Sequence, residues 1–191
     1  MLCQGQITLW LRAVVLMVAV AAWAFPSHGT DAVAPADLDR LLRELSVRPA
    51  WGAPPPLALS GVDGQRYALD GLRGRVVLLY FWATWCPICT GELPSQIESL
   101  HREFRDRGLV VLAISMREPA HAVAAWLKRH PVSAPVLLDR DGVATDAYRA
   151  TTTPTFVLVD RAGQLVGRGA GPRDWTGDRG RALIRALLGA P

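Results

Sequence analysis

Cys86 and Cys89 are separated by two residues and follow a run of large apolar side chains, Val76–Trp82. Thiols at this spacing could form a structural disulfide, half of a metal site or a redox-active pair. A structural disulfide stabilises a protein mainly by closing a long loop, and this pair would close almost none. Cys3 is the only other cysteine, whereas a zinc site needs about four ligands. The pattern therefore favours a redox-active pair.

The four histidines do not supply the missing metal ligands. His28, His101, His121 and His130 are spread along the chain and show no ligand spacing. We expect His101 and His121 to be exposed residues of helices. The sequence therefore predicts neither a metal nor another cofactor.

The N-terminus has the pattern of an export segment. Arg12 precedes an apolar run, Ala13–Phe25, and Ala22–Ala24 fits the small-x-small pattern before a signal-peptide cleavage site. The run is short for a membrane-spanning helix, which needs about 20 residues, but extension back to Ile7 nearly reaches that length. Residues 1–25 are therefore predicted to be a cleaved signal peptide or an uncleaved membrane anchor. Either would place the rest of the chain in the periplasm, where a disulfide can persist.

Composition indicates a globular domain and no nucleic-acid partner. Half of the 191 residues are apolar and a fifth are charged, which is sufficient for a sizeable core. The formal charge is +4, and 20 of the 21 basic residues are arginines scattered without a long run. A basic patch of the kind that binds nucleic acids is therefore not indicated.

Residues 26–56 precede the predicted domain, which spans residues 57–191. Ala34–Val47 predicts a short amphipathic helix. The Pro-rich residues 48–56 predict a linker or an edge segment.

The predicted domain begins with an antiparallel hairpin, after which strands and helices alternate. A second antiparallel hairpin and a last helix follow. Its central strands are continuous apolar runs, typical of strands buried on both faces. This order predicts an α/β fold with a central mixed sheet flanked by helices. The predicted strands are 57–60, 66–69, 76–82, 109–114, 136–138, 156–159 and 164–168, and the predicted helices lie within 93–104, 123–127, 141–149 and 183–188.

The cysteines fall where the strand Val76–Trp82 passes to a helix. The first turn of a helix offers free N–H groups and the positive end of the helix dipole. A thiolate there is stabilised, and its pKa can fall from about 8.5 to between roughly 3.5 and 7.5. Cys86 is therefore the expected nucleophile. Cys89, one turn further in, should be more buried and able to resolve a mixed disulfide.

The segment Tyr80–Pro94, YFWATWCPICTGELP, resembles the active-site segment of thioredoxin-fold proteins. It is most similar to the exported TlpA/ResA/CcmG-like thiol–disulfide oxidoreductases, and the resemblance covers roughly residues 50–190. It implies a thioredoxin-like fold with an N-terminal β-hairpin extension that ends in Leu69–Arg75. It also implies that Pro94 kinks the active-site helix.

The same resemblance makes Pro154 a cis-proline in a loop that faces the cysteines. The loop would present the Thr153 backbone to an extended substrate segment. From the residues alone, Pro154 could equally be a trans proline at the start of a strand. Further substrate contacts are expected from Trp85, Pro87 and Ile88, which surround the thiols.

Glu92 occupies the place at which ResA- and CcmG-like proteins carry a glutamate, three residues after Cys89. Tyr80 stands where thioredoxin itself carries a buried aspartate. Helix positions 89 and 92 share a face, so a partly buried Glu92 would have a raised pKa and could relay the proton of Cys89. The alternative is an exposed glutamate stabilised by the helix dipole.

The sequence thus predicts an exported protein-disulfide oxidoreductase, acting mainly as a reductant, with Cys86, Cys89 and Glu92 as its catalytic residues. The resemblance implies substrates such as apocytochrome c or a copper-site protein, and a membrane thiol donor of the DsbD/CcdA type. The alternatives are a thiol oxidase or isomerase of the same fold, or a copper-binding metallochaperone module. Pro87-Ile88 lacks the histidine of strongly oxidising CPHC centres but does not fix the direction of electron flow.

Overall fold

The structure, a computed structural model, describes residues 35–189. The predicted signal peptide or membrane anchor, residues 1–25, lies outside the described residues. No helix within residues 35–189 is long and apolar enough to cross a membrane.

One sheet of eight strands organises the fold. Its strands are β1 (Arg48–Pro49), β2 (Ala58–Gly61), β3 (Arg66–Ala68), β4 (Val76–Trp82), β5 (Leu109–Met116), β6 (Val136–Asp139), β7 (Thr155–Val159) and β8 (Leu165–Ala170). The helices are α1 (Pro35–Glu44), α2 (Pro87–Glu92), α3 (Glu98–Phe104), α4 (Ala120–Arg129), α5 (Val143–Ala147) and α6 (Asp178–Leu188). A π-helical turn (Leu93–Ile97) joins α2 to α3, and 3-10 turns lie at Leu69–Leu72 and Arg105–Arg107.

The strand order across the sheet is β1-β8-β7-β4-β5-β6-β2-β3. The central strands β4, β5 and β6 run parallel, and every other neighbouring pair is antiparallel. The sheet is therefore mixed, as predicted. The predicted N-terminal hairpin, β2 and β3, extends one edge of the sheet because β2 pairs with β6.

Strand β4 lies at the centre of the core, and all seven of its residues are buried. Successive side chains of a strand point to opposite faces. Val76, Leu78, Tyr80 and Trp82 accordingly pack in one hydrophobic cluster with α1, α3, α4 and α6. The intervening residues pack in a second cluster with α5 and the Leu69–Leu72 turn. The continuous apolar run thus reflects burial on both faces.

The helical stripe predicted after the cysteines is buried against the sheet. Its members, Leu93, Ile97, Leu100 and Phe104, are fully buried. Pro94 lies in the π-helical turn, which fits its lack of an N–H group for the regular helical pattern. Gly108 then ends the segment with a φ of 112°, a conformation that glycine adopts readily.

His101 differs from its prediction, because it is buried rather than exposed. It follows Leu100 and precedes Phe104 by three positions, so helical geometry places it on the face that packs on the core. Burial lowers the pKa of its imidazole. His121, by contrast, is exposed, as predicted.

The segment before the hairpin is packed on the domain. Helix α1 contacts α6, and Leu42 and Val47 are buried in the main core. Arg48–Pro49 forms the edge strand β1, which pairs with β8, and a proline is tolerated on an edge strand. Of the two predictions for residues 48–56, an edge segment therefore describes their first residues.

Candidate active site

The site is built where β4 ends and α2 begins. Cys86 precedes the first residue of α2 in an extended conformation, and Pro87 occupies the first turn. Proline is favoured there because its missing N–H would have no partner in the helix. The Cys86 Sγ accepts a hydrogen bond of 3.2 Å from the Cys89 N–H. The strand-to-helix junction thus places one N–H group of the first turn of α2, that of Cys89, at the Cys86 sulfur.

Cys86 and Cys89 are joined in a disulfide, with their Cα atoms 5.2 Å apart. Cys86 is 4% exposed and Cys89 is fully buried. The outer sulfur is therefore that of Cys86, the one predicted to attack a substrate, and Cys89 lies behind it.

The residues beside the thiols form an exposed apolar surface. Trp85 is 68% exposed and Ile88 is 50% exposed, and Pro87 between the cysteines is also exposed. Large apolar side chains grouped on a surface mark contact sites more often than isolated ones do. These three predicted contact residues are thus accessible to another molecule.

The Thr153–Pro154 peptide bond is cis. Pro154 is buried, and Thr153 is partly exposed. Trp85 and Thr151–Thr153 both line a cleft of about 610 Å³. The structure thus brings the cis-proline loop and the tryptophan before the nucleophile to the same cleft.

Glu92 is buried, with 5% of its surface exposed, so it is not the exposed first-turn glutamate of the alternative. Its Oε2 accepts a 2.6 Å hydrogen bond from the Tyr80 hydroxyl. Its Oε1 accepts one of 3.0 Å from the Arg173 N–H. Burial raises the pKa of Glu92, and these two hydrogen bonds partly oppose the rise. Glu92 and Cys89 are both buried on α2.

Two contributors to the site were missed from the sequence. From the sequence, Tyr80 indicates only the loss of an acid, yet its hydroxyl donates a hydrogen bond to Glu92. Glu118, which follows β5, accepts hydrogen bonds from the Thr84 N–H and hydroxyl and from the Ser115 hydroxyl. Glu118 thereby fixes the turn two residues before Cys86. An acid shortly after a predicted central strand is the sequence signal that could indicate it.

A CxxC disulfide at the start of a helix, next to a cis-proline loop on a mixed sheet, defines a thioredoxin-like thiol–disulfide domain. The chain belongs to the Redoxin family, whose sequence pattern matches residues 46–183. The predicted thioredoxin-like fold and the predicted resemblance to ResA/CcmG-like thiol–disulfide oxidoreductases are confirmed.

Among the relatives, thiol-disulfide oxidoreductase ResA of Bacillus subtilis (strain 168) is 34% identical over 112 residues, 59% of this chain and 62% of that protein. The match to ResA of Halalkalibacterium halodurans covers 61% of that protein, so the chain spans under two thirds of these relatives.

Two solved structures have the same fold. One is a thiol:disulfide interchange protein of Chlorobium tepidum, with 25% identity and a TM-score of 0.63, covering 74% of this chain and 97% of that one. The other is the exposed lipoprotein thioredoxin Etrx1 of Streptococcus pneumoniae strain TIGR4. It has 30% identity and a TM-score of 0.58, and the match covers 69% of this chain and 98% of that one.

Proposed function

We propose that this protein is an exported thiol–disulfide oxidoreductase that reduces disulfides in other proteins. The observation that carries the proposal is the placement of Cys86 and Cys89. Cys86 is the outer sulfur at the N-terminus of α2, and Cys89 is buried behind it on the same helix as buried Glu92. The names of the ResA and thiol:disulfide interchange relatives support the same activity.

In the first step, the reduced protein attacks with the Cys86 thiolate. The thiolate displaces one sulfur of the substrate disulfide, which leaves as a thiolate, and a mixed disulfide forms between Cys86 and the other substrate sulfur. The N–H groups of α2 stabilise the attacking thiolate. Trp85 and the Thr153–Pro154 loop hold the substrate segment beside it.

In the second step, Cys89 resolves the mixed disulfide. Glu92 accepts the proton of the Cys89 thiol, and the resulting thiolate attacks the Cys86 sulfur. The Cys86–Cys89 disulfide forms, and the second substrate sulfur leaves as a thiolate. Two electrons have then passed from this protein to the substrate. A proton acceptor works best when its pKa lies near the working pH, and burial raises the pKa of Glu92 in that direction.

The direction and the partners follow from the resemblance. We infer that a membrane thiol donor of the DsbD/CcdA type restores the dithiol. The substrates would be cytochrome c haem-site cysteines or those of a copper-site protein, in the periplasm. Residues 1–25 would direct export or tether the domain, and residues 57–191 would form the catalytic domain.

Substitution of Cys89 tests the proposal. With Cys89→Ala, the second step is blocked, so substrates should accumulate as mixed disulfides on Cys86 that a reductant releases. The matched control is Cys86→Ala, which removes a thiol from the same motif but should trap nothing. Adducts are measured by non-reducing electrophoresis and mass spectrometry.

The reduction potential of the wild-type protein decides between a reductant and an oxidant. The wild-type protein, equilibrated with a glutathione or dithiothreitol buffer, should show a reduction potential well below that of glutathione. A potential near that of DsbA would overturn the reductant assignment. Absence of any adduct, together with no reduction of a model disulfide, would overturn the enzymatic proposal itself.

A further inference from the structure

A second cleft, of about 590 Å³, adjoins the cis-proline loop and is strongly basic. Four arginines line it, and the remaining polar lining consists mainly of hydroxyl groups of Ser46, Thr151, Thr152 and Thr155. No acidic side chain of residues 35–189 lines this cleft. We call it the arginine cleft, and its arginines are Arg48, Arg149, Arg168 and Arg173.

These four arginines differ from the six described arginines that form ion pairs with carboxylates. Within residues 35–189, none of the four lies within 4.0 Å of a carboxylate oxygen. By contrast, Arg117 pairs with Asp146 at 2.5 Å, and Arg181 pairs with Glu103 at 2.7 Å. None of the four arginines therefore forms an ion pair within the described part of the chain, although the charge of Arg173 interacts with that of Glu92 and lowers the pKa of Glu92.

Two of these arginines lie directly opposite each other on neighbouring strands. Arg48 on β1 is paired directly with Arg168 on β8 in the antiparallel register. Residues directly opposite in a ladder project from the same face, and like charges in that position destabilise the pair. An anion bound between them would remove this repulsion, so the pairing indicates a ligand of negative charge.

Backbone carbonyls orient two of the guanidinium groups without neutralising them. Arg168 donates to the carbonyls of Tyr148 and Arg149 at 3.2 and 3.3 Å. Arg173 donates to the carbonyls of Ser46 and Pro172 at 3.0 and 2.7 Å. A guanidinium has five N–H donors, so each group keeps donors for an anion. Prior orientation reduces the ordering cost of binding.

The arginine cleft is continuous with the cleft that Trp85 lines, beside the redox site. Arg149, Thr151 and Thr152 line both this cleft and the one that Trp85 borders. Arg173 supplies the N–H that binds Glu92. A substrate segment lying along the cis-proline loop would therefore run from the Cys86–Cys89 pair directly into the arginines.

We propose that the arginine cleft binds an acidic stretch of the substrate polypeptide, rich in Asp and Glu, that flanks the disulfide to be reduced. Arginine forks match carboxylates geometrically, and the volume lies within the range of ligand sites. Continuity with the Trp85 cleft favours an extended chain over a small anion. This inference rests on the proposed function, because only that function makes the acidic ligand a substrate.

The first test measures binding without chemistry. Two fluorescent peptides carry serines in place of the disulfide cysteines, one with flanking Asp and Glu residues and one with flanking Gln and Ser. The acidic peptide should bind more tightly, and more weakly as salt is added. The double variant Arg48→Gln with Arg149→Gln should weaken its binding about tenfold. Both side chains are exposed, so the fold should tolerate the changes.

The matched control is Arg66→Gln with Arg129→Gln, which removes the same charge from exposed sites on β3 and α4. Equal affinity for both peptides, or equal weakening by the control variant, would overturn the proposal. Binding of inorganic phosphate or anionic lipid vesicles through Arg48 and Arg149, without preference for the acidic peptide, would overturn it as well.

The second test separates this inference from the proposed function. The same peptides with an intact disulfide are offered to the reduced protein, and kcat/KM is measured for each. Preference for the acidic peptide should fall toward one in the double variant. If neither peptide is reduced, the proposed function fails, while the binding result still decides the specificity of the arginine cleft.

Discussion

The Tyr80–Glu92 pair explains how a carboxyl group is kept in the core beside the thiols. Burial favours the neutral acid, whereas the Tyr80 hydroxyl and the Arg173 N–H stabilise the carboxylate. Burial and the neighbouring carboxylate raise the pKa of Tyr80, so the phenol remains a hydrogen-bond donor at neutral pH. The Tyr80 hydroxyl therefore opposes the rise in the pKa of Glu92 that burial causes.

Tyr80→Phe should raise the pKa of Glu92 further, because the carboxylate loses one of its two donors. An acid with a raised pKa in the folded state contributes stability below its unfolded pKa and loses it as pH rises through the folded pKa. The variant should thus resemble wild type near pH 4 and be roughly 1–3 kcal/mol less stable near pH 7. Urea unfolding of the oxidised protein at both pH values measures the difference.

Tyr148→Phe is the matched control for this measurement. Tyr148 is also buried, but its hydroxyl donates to the uncharged Pro55 carbonyl at 2.6 Å. Its loss should reduce stability by a similar amount at both pH values. A pH-independent effect of Tyr80→Phe would show that Tyr80 does not act through the charge of Glu92.

At the scale of single residues, the sequence predicts those site residues whose position is set by their neighbours in the chain. The cysteine spacing and the strand-to-helix position fix Cys86 and Cys89 because neighbouring residues set their geometry. The partners of Glu92 could not be predicted in the same way, since Tyr80 lies 12 positions away and Arg173 lies 81 positions away. Their contacts depend on how β4, α2 and the segment before α6 pack together.

The regular elements follow the same logic. Apolar runs and helical stripes predict β4, β5 and the α2–α3 segment because burial on a fixed period leaves a readable pattern. The edge strand β1 has only two residues and no such pattern. Its position is set by packing, since Val47 and Leu42 lie against Gly167 of β8.

Gly167→Ala tests that packing. A Cβ at this position would lie 2.6 Å from Val47 Cγ1 and 3.0 Å from Leu42 Cδ2. Overpacking of this kind typically destabilises a protein by about 1–3 kcal/mol. We expect a corresponding loss in urea unfolding and faster proteolysis between α1 and β2.

The control is Gly71→Ala in the Leu69–Leu72 turn, where an added Cβ meets no atom within 4 Å. It should leave stability nearly unchanged. The comparison also addresses the predicted boundary at residue 56. If residues 35–56 were only a linker, both alanine variants would behave alike.

At the scale of the whole molecule, two buried glutamates have pKa values that are shifted in opposite directions. Burial raises the pKa of Glu92. Burial acts in the same sense on Glu98, but hydrogen bonds from Ser133, Ala134 and Arg102 outweigh it and lower the pKa of Glu98. The bonds from Ser133 and Ala134, of 2.6 to 3.1 Å, tie α3 to the segment before β6. Glu98 therefore links two elements across the core, whereas Glu92 is buried on the helix that carries Cys89.

Glu98→Gln should reveal the contribution of Glu98 to acid stability. A carboxyl group with a lowered folded pKa adds stability above its unfolded pKa, about 4.3, and loses it as pH falls through the folded value. An amide in its place leaves at least one buried donor facing another, which should reduce stability by roughly 1–3 kcal/mol near pH 7. The difference from wild type should shrink toward pH 3, as urea unfolding across this range would measure.

Glu103→Gln, on the same helix but in a partly exposed ion pair with Arg181, should change stability much less. A gap between Glu98→Gln and wild type that stays constant from neutral to acid pH would show that the charge of Glu98 does not hold α3 to the Ser133 segment.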